Sequence, residues 1–384
     1  MKKSKLIYLL LLFICFACTD RREPKEKVRS IVIPVDRVDK PALFDSFFKM
    51  SRYIRLETTP ECLIRKISKV VFYRENIYIQ DSETNKISVF SGDGKYLKGI
   101  DHKGQGPGEY LRLTDFSIKD DVLYLLDRSG GKLLLYSLED AFIDAKDIEK
   151  ARTVSVLADG KYAVNMELGC ADNMQNKQYY SYAYYEDSEA VHKDVAYNQE
   201  LCGLSFSLSE GGNGFYTYSD SLFTLFPFND TIYTVNHKDG RLSPYLSIKI
   251  GDKSIGLQDD KDEVKKLQKQ GISTSVFSFY KLNSWTLFSY YYRESNRQYA
   301  LVDANNEVLF NGPFGLDANK IPVRIIAYDD DKEIAEVMSV AYPFELLRIA
   351  KRHAATSDVL KQIATQISEE DNPILFFYEP KEQK

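Results

Sequence analysis

Histidine is scarce in this 384-residue chain, and the four present, His102, His192, His237 and His353, lie far apart without the spacing of a zinc site. No Gly-x-Ser-x-Gly elbow occurs, and no histidine lies near Cys62, Cys170 or Cys202 in sequence, so nucleophilic catalysis has no motif here. A charge excess of one sign is also missing. The net charge is −5 and the charges are scattered, which gives no electrostatic footprint for nucleic acid. Five cysteines are too few for a disulfide framework, because Cys15 and Cys18 belong to the leader described below and the remaining three allow at most one bridge. Beyond the leader there is no apolar run of the ~20 residues that a membrane-spanning helix needs. No cofactor is expected.

What the chain does have begins at its first residues. Met1-Lys2-Lys3-Ser4-Lys5 is basic, residues 6–17 carry no charge, and the run stops at Phe16-Ala17-Cys18-Thr19. A basic start, a short apolar core and a small residue before the break are the parts of a secretory signal. The small residue directly before a cysteine resembles a lipobox, although Cys15 stands where such signals usually carry Leu. That resemblance implies acylation of Cys18, and the alternative is ordinary cleavage that leaves a free Cys18. Residues 1–17 are therefore read as a signal peptide. The lipid-bearing Cys18 and the charged residues up to 29 form a flexible tether.

The aromatic content is high in Tyr (27) and Phe (22), and an excess of β-forming side chains suits many short strands. Residues 70–100 show short apolar runs separated by turns at Arg74-Glu75-Asn76 and Gly92-Asp93-Gly94. The pattern returns over residues 116–138, where Leu123-Tyr124-Leu125-Leu126-Asp127 matches Ile77-Tyr78-Ile79-Gln80-Asp81. The period of roughly 40 residues is that of a propeller blade. Fainter copies cover residues 154–195, 204–250, 276–311 and 324–342. The run at residues 374–378 has no partner downstream, and those at 30–33 and 53–56 have none upstream, so strands from both ends are expected to close the ring. The expected fold is all-β: one six-bladed β-propeller over residues 30–380 with a tail at 381–384. Helical insertions are expected at residues 258–270, capped by Gly271, and as a pair at 344–368 packing on the propeller, with partner binding as the alternative for that pair.

Residues 77–118 resemble the NHL-repeat propellers, in which a short apolar strand ends in Asp, an Asn precedes a basic residue, and an Asp-Gly-Lys turn follows the next strand. Here these are Asp81, Asn85-Lys86, Ile87-Val89-Phe90 and Asp93-Gly94-Lys95. The chain is also similar to the six-bladed propeller lipoproteins of Bacteroides-type bacteria, through Ile54-Arg55-Leu56-Glu57-Thr58-Thr59 and Gly104-Gln105-Gly106-Pro107-Gly108-Glu109-Tyr110. The resemblance implies architecture and cellular address, and it leaves activity unassigned.

The glycines of the second motif are read as a turn in which Gly108 takes a positive φ, since neither Gly-Lys-Ser/Thr nor a helix follows. Asp259-Asp260-Asp262 and Asp329-Asp330-Asp331 depart from the spacing of a calcium loop and read as solvated turn or helix-start carboxylates. Tyr180, Tyr182 and Tyr184 fall on one face of a strand, and Tyr290, Tyr291 and Tyr292 on both faces of another. They are candidates for stacking on a sugar or peptide, set against the filling of space between blades. Ser221 and Thr231 stand in short Asp-Ser/Thr-apolar sites resembling those glycosylated in exported Bacteroides-type proteins.

The function expected from these features is a non-catalytic binding or scaffolding propeller for a protein, peptide or glycan, lipid-anchored in the cell envelope. Thr19-Asp20 after the anchor favours the outer membrane, with the leaflet open. The alternatives are a lyase or hydrolase that uses the central channel, and a structural subunit of an envelope complex.

Overall fold

The computed structural model describes residues 28–35, 44–166, 168, 174–175, 178–202, 214–251, 256–269, 276–292, 296–326, 328–330, 336–352 and 357–381. Cys18, Cys170, Gly271 and His353 lie outside them. Two N-terminal strands, β1 (Arg29–Ile33) and β2 (Phe48–Arg55), belong to blades otherwise built from later parts of the chain. Blade 1 is β3 (Ile67–Tyr73), β4 (Asn76–Asp81), β5 (Lys86–Ser91) and β6 (Tyr96–Ile100). Blade 2 is β7 (Leu113–Lys119), β8 (Val122–Asp127), β9 (Lys132–Ser137) and β10 (Phe142–Asp147). Blade 3 contains β11 (Thr153–Val156), β12 (Tyr162–Asn165), the short β13 (Met174–Gln175), β14 (Gln178–Glu186) and β15 (Glu189–Tyr197).

Blade 4 is β16 (Phe215–Tyr218), β17 (Ser221–Thr224), β18 (Thr231–Val235) and β19 (Leu242–Ile250). Blade 5 is β20 (Val276–Leu282), β21 (Trp285–Tyr292), β22 (Asn296–Asp303) and β23 (Val308–Gly312). The last part of the chain gives β24 (Ile325–Ile326), β25 (Tyr328–Asp330), β26 (Val337–Ala341) and β27 (Ile374–Pro380). Of these, β24, β26 and β27 take β2 as their fourth strand and complete blade 6. The fold is an all-β, six-bladed propeller.

Closure follows the expected latch at one of the two N-terminal runs. β2 runs antiparallel to β27 from Phe48↔Pro380 to Arg55↔Ile374. The other run goes elsewhere, because β1 adds in parallel to the outer edge of blade 4, with Ile31↔Ile248 and Ile33↔Ile250. Its alternation explains the choice: Ile31 and Ile33 are buried in the core shared with blade 5 while Val32 points outward. The N-terminal segment is thereby drawn along blade 5, where Asn311 donates to the Pro34 carbonyl and Phe47 packs edge-on against Trp285.

Apolar side chains of neighbouring blades interdigitate all the way round. Val89 and Ile100 meet Phe116 and Leu125, Leu126 and Leu133 meet Val164 and Tyr185, and Phe90 and Ile79 meet Phe377 and Met338 across the closing seam. The helix Lys261–Lys269 packs Val264 and Leu267 against Tyr197 and Phe228. The helices Pro343–Arg352 and Asp358–Ala364 bury Leu346, Leu360 and Ile363 in the same core as blades 5 and 6, which is local packing of their apolar stripe.

The repeated Asp has a structural reason. The Asp81 carboxylate accepts from the N–H groups of Arg65 (2.9 Å), Lys66 (3.2 Å), Glu83 (2.9 Å) and Thr84 (3.3 Å). Asp127 does the same with Leu111 (2.7 Å), Arg112 (3.3 Å), Ser129 (3.0 Å) and Gly130 (3.0 Å). Each one ties the turn after the second strand to the chain entering the first. Asp81→Ala would strand several of these amides in a buried site. A loss of about 3 kcal/mol is expected in urea unfolding, from the worth of hydrogen bonds to a charged acceptor. A change under about 0.5 kcal/mol, the size of a surface substitution, would contradict this role.

Candidate functional site

The central channel is where a propeller enzyme would gather its reactive groups, and here it holds a strand of the chain itself. β25 pairs in parallel with β3, the innermost strand of blade 1, through Tyr328↔Val70, Asp329↔Val71 and Asp330↔Phe72. It also comes close to β16, the innermost strand of blade 4 on the opposite side of the ring. Tyr328 packs edge-on against Phe72 and Phe377, at ring-centre distances of 5.5 and 6.1 Å. Asp329 and Asp330 are thus part of a β-strand, which corrects their reading as turn carboxylates. At the other acidic stretch the reading holds, with Asp260 accepting from the N–H groups of Asp262 and Glu263 at the helix start.

Polar side chains on the channel wall are engaged between blades. The Lys69 ammonium on β3 lies 3.0 Å from the Asp115 carboxylate on β7, and the other oxygen of Asp115 accepts from the Val154 N–H on β11 at 2.8 Å. One carboxylate therefore joins three successive innermost strands, and both side chains of the pair are about 95% buried. Burial pushes the Asp115 carboxyl above its usual range, against the pull of Lys69 and the amide. Further round the ring, Tyr216 and Tyr218 donate to the carbonyls of Phe277 and Phe279, and Arg297 donates to that of Ile325.

The histidines are separated. His102 Nε2 is 2.7 Å from Asp140 and its ring stacks on Tyr136, His192 lies by Tyr184, and His237 meets the Asp220 carbonyl. Among the described residues no three His, Cys, Asp or Glu side chains are placed to hold a metal ion. Cys62 is free and buried, and Cys202 is disulfide-bonded.

The Gly104–Tyr110 motif closes on itself. Gly104 donates to the Tyr110 carbonyl, Tyr110 donates to that of His102, and the Glu109 carboxylate accepts from Gly106 at 2.8 Å. Glu109 lies so close over Gly104 that a Cβ there would meet its Oε2 at 1.9 Å. Gly108 is not among the positive-φ residues. Its glycine is favoured by close approach, since a Cβ would lie 3.0 Å from Phe142 and 3.1 Å from the Tyr136 hydroxyl, so those side chains would have to give way.

The candidate tyrosines divide. Tyr182 and Tyr184 are buried between blades 3 and 4, whereas Tyr180 is half-buried against the core between blades 2 and 3. The Tyr182 hydroxyl donates to the Gly240 carbonyl at 2.6 Å, which fixes that ring in the blade interface. Tyr290 is buried in blade 5 and hydrogen-bonded to Asn311, and Tyr291 and Tyr292 continue the same strand. Ser221 is exposed at its hairpin, and the Thr231 hydroxyl, half-buried, donates to Asp230.

Among the described residues, clefts open between blades at two places of interest. One of about 490 Å³ lies at the closing seam between Arg55, Glu57, Lys95 and Asp371. The other, of about 470 Å³, lies between blades 2 and 3 around Gly130, Glu149 and Tyr185.

A family described as a domain of unknown function (DUF4934) matches residues 30–379, which is the whole ring from β1 to β27. The chain belongs to the DUF4934 family. A Bacteroides fragilis protein described as exported has the same fold, with a TM-score of 0.73 at 20% identity over 92% of this chain and 100% of that one. A DUF4221 family member from Bacteroides vulgatus matches at a TM-score of 0.52 and 11% identity, over 88% of this chain and 98% of that one. No curated protein matches.

Sequence reasoning missed Lys69, Asp115 and the cleft between blades 2 and 3. The signal for the pair was present: each is the third residue of the first strand of its blade, and the two carry opposite charges.

Proposed function

We propose that this DUF4934 chain is an exported lipoprotein, anchored through acylated Cys18, whose propeller is a non-catalytic binding or scaffolding module for a protein, peptide or glycan partner. The observation that carries the reading is β25. A strand of the chain that pairs with the inner edge of β3 and approaches β16 occupies space a channel ligand would need, which directs recognition to the rim and the clefts between blades. Export is supported by the leader, by the described nature of the Bacteroides fragilis protein of like fold, and by the bonded Cys202, which suits an oxidising compartment. In this reading acylation of Cys18 supplies the membrane attachment; among the described residues no helix is long and apolar enough to cross a membrane. Thr19-Asp20 behind the anchor favours outer-membrane delivery, with the leaflet open.

Cys18→Ala is expected to abolish metabolic labelling by an alkyne-palmitate and to move the protein from the membrane to the soluble fraction. Retained labelling and sedimentation would sink the anchor. The intact mass of the wild-type protein reads the proposed modification of Ser221 and Thr231, since a mass equal to the bare acylated polypeptide removes both.

A further inference from the structure

Resting on that binding function, we propose that the cleft between blades 2 and 3 is the ligand site, and that its ligand is a short neutral glycan. The wall from blade 2 is the turn carrying Gly130 and Gly131, which present no side chain and leave peptide faces at the surface beside the exposed Ser129. Gly131 has φ +64° and its carbonyl accepts from Ile148, so this wall is held rigid. Tyr185, from blade 3, is stacked on Tyr162 with ring centres 5.2 Å apart, and its hydroxyl accepts from the Glu149 N–H at 3.1 Å. Its own proton is left for an acceptor in the cleft.

The acceptors stand opposite. Oε1 of Glu149 is held by the Lys193 ammonium, while Oε2 is enclosed without a hydrogen-bond partner. Asp147 adds an exposed carboxylate and Ser188 an exposed hydroxyl at the mouth. One fixed donor among several acceptors is the pattern that vicinal hydroxyls satisfy, because each hydroxyl both donates and accepts. Anions are disfavoured: in and beside the cleft the four carboxylates of Asp144, Asp147, Glu149 and Asp187 outnumber the three ammonium groups of Lys146, Lys150 and Lys193, and two of those ammonium groups are engaged, Lys146 by Asp144 and Asp187 and Lys193 by Glu149. A volume of about 470 Å³ falls in the range of small-molecule sites.

The test is an array of neutral mono- to tetrasaccharides probed with the soluble mature protein, followed by titration calorimetry with the best sugar. Two variants accompany the wild type: Asp147→Ala, which removes an acceptor, and Ser188→Trp, which fills the mouth from an exposed hairpin position. The expected result is sugar binding that weakens at least tenfold in Asp147→Ala and disappears in Ser188→Trp, with thermal midpoints unchanged. Sugar binding that is equal in all three proteins overturns the cleft as the site. A wild type that binds no sugar, yet still recovers a partner from membranes, overturns the ligand class and leaves the binding function standing.

Discussion

A chain ending at Asn372 is expected to lose its cooperative thermal transition. The deletion removes β27, in which Ile374, Leu375, Phe376, Phe377 and Tyr378 are each at most 1% exposed. At about 1.5–3 kcal/mol for each large apolar side chain buried, the loss matches or exceeds the 5–15 kcal/mol that holds a typical domain folded. The damage also spreads, because β2 and β26 flank β27 and both lose their ladder partner. Asn372 could then no longer hold the seam, where it donates to the carbonyls of Glu57 and Cys62 and accepts from the Ile64 N–H. Differential scanning calorimetry checks this against a chain ending at Lys381, which should melt like the full mature protein. Equal midpoints for the two truncations would refute the latch.

Lys69→Met is expected to cost about 3–5 kcal/mol, the usual consequence of leaving one member of a buried ion pair without its partner. Asp115 would then keep backbone amides, chiefly that of Val154, but no cation in a fully buried site. The pH dependence fixes the mechanism. Burial already raises the folded-state pKa of Asp115, so the native protein holds this proton at pH values where the unfolded chain, at about 3.9, has released it. For a carboxyl shifted upward, stability falls as pH rises through that window. Removing the opposing cation extends the window upward, so the gap in thermal midpoint between variant and wild type should narrow as pH is lowered. The double variant Lys69→Met/Asp115→Leu should recover most of the loss. A gap independent of pH, or a double variant no better than the single, would show that Lys69 acts by packing alone.

Blades 1 and 2 were legible in the sequence because their turns are dictated by chemistry that cannot be hidden. Asp81 and Asp127 must each cap a turn, Asn85 takes a positive φ, and Gly94 has φ +88° with no room for a Cβ beside the Arg55 carbonyl. The later blades have fewer such constraints and showed only as spaced apolar runs. The two N-terminal runs could not be told apart by composition, since residues 30–33 and 53–56 suit a ladder equally well. Their assignment to blades 4 and 6 depends on which edge lies within reach once the ring has formed. β25 was invisible for a stronger reason: Tyr328-Asp329-Asp330 has no apolar period, and three residues pairing in parallel with β3 owe their conformation to the channel around them.

The most direct test of the proposed binding function is chemical crosslinking of the native protein in its own membranes, followed by purification and mass spectrometry. One partner is expected in stoichiometric amount, recovered again when the soluble Cys18→Ala protein is mixed with membranes lacking the native chain. Recovery of the chain alone from both preparations, together with no sugar bound on the array, would contradict a binding function.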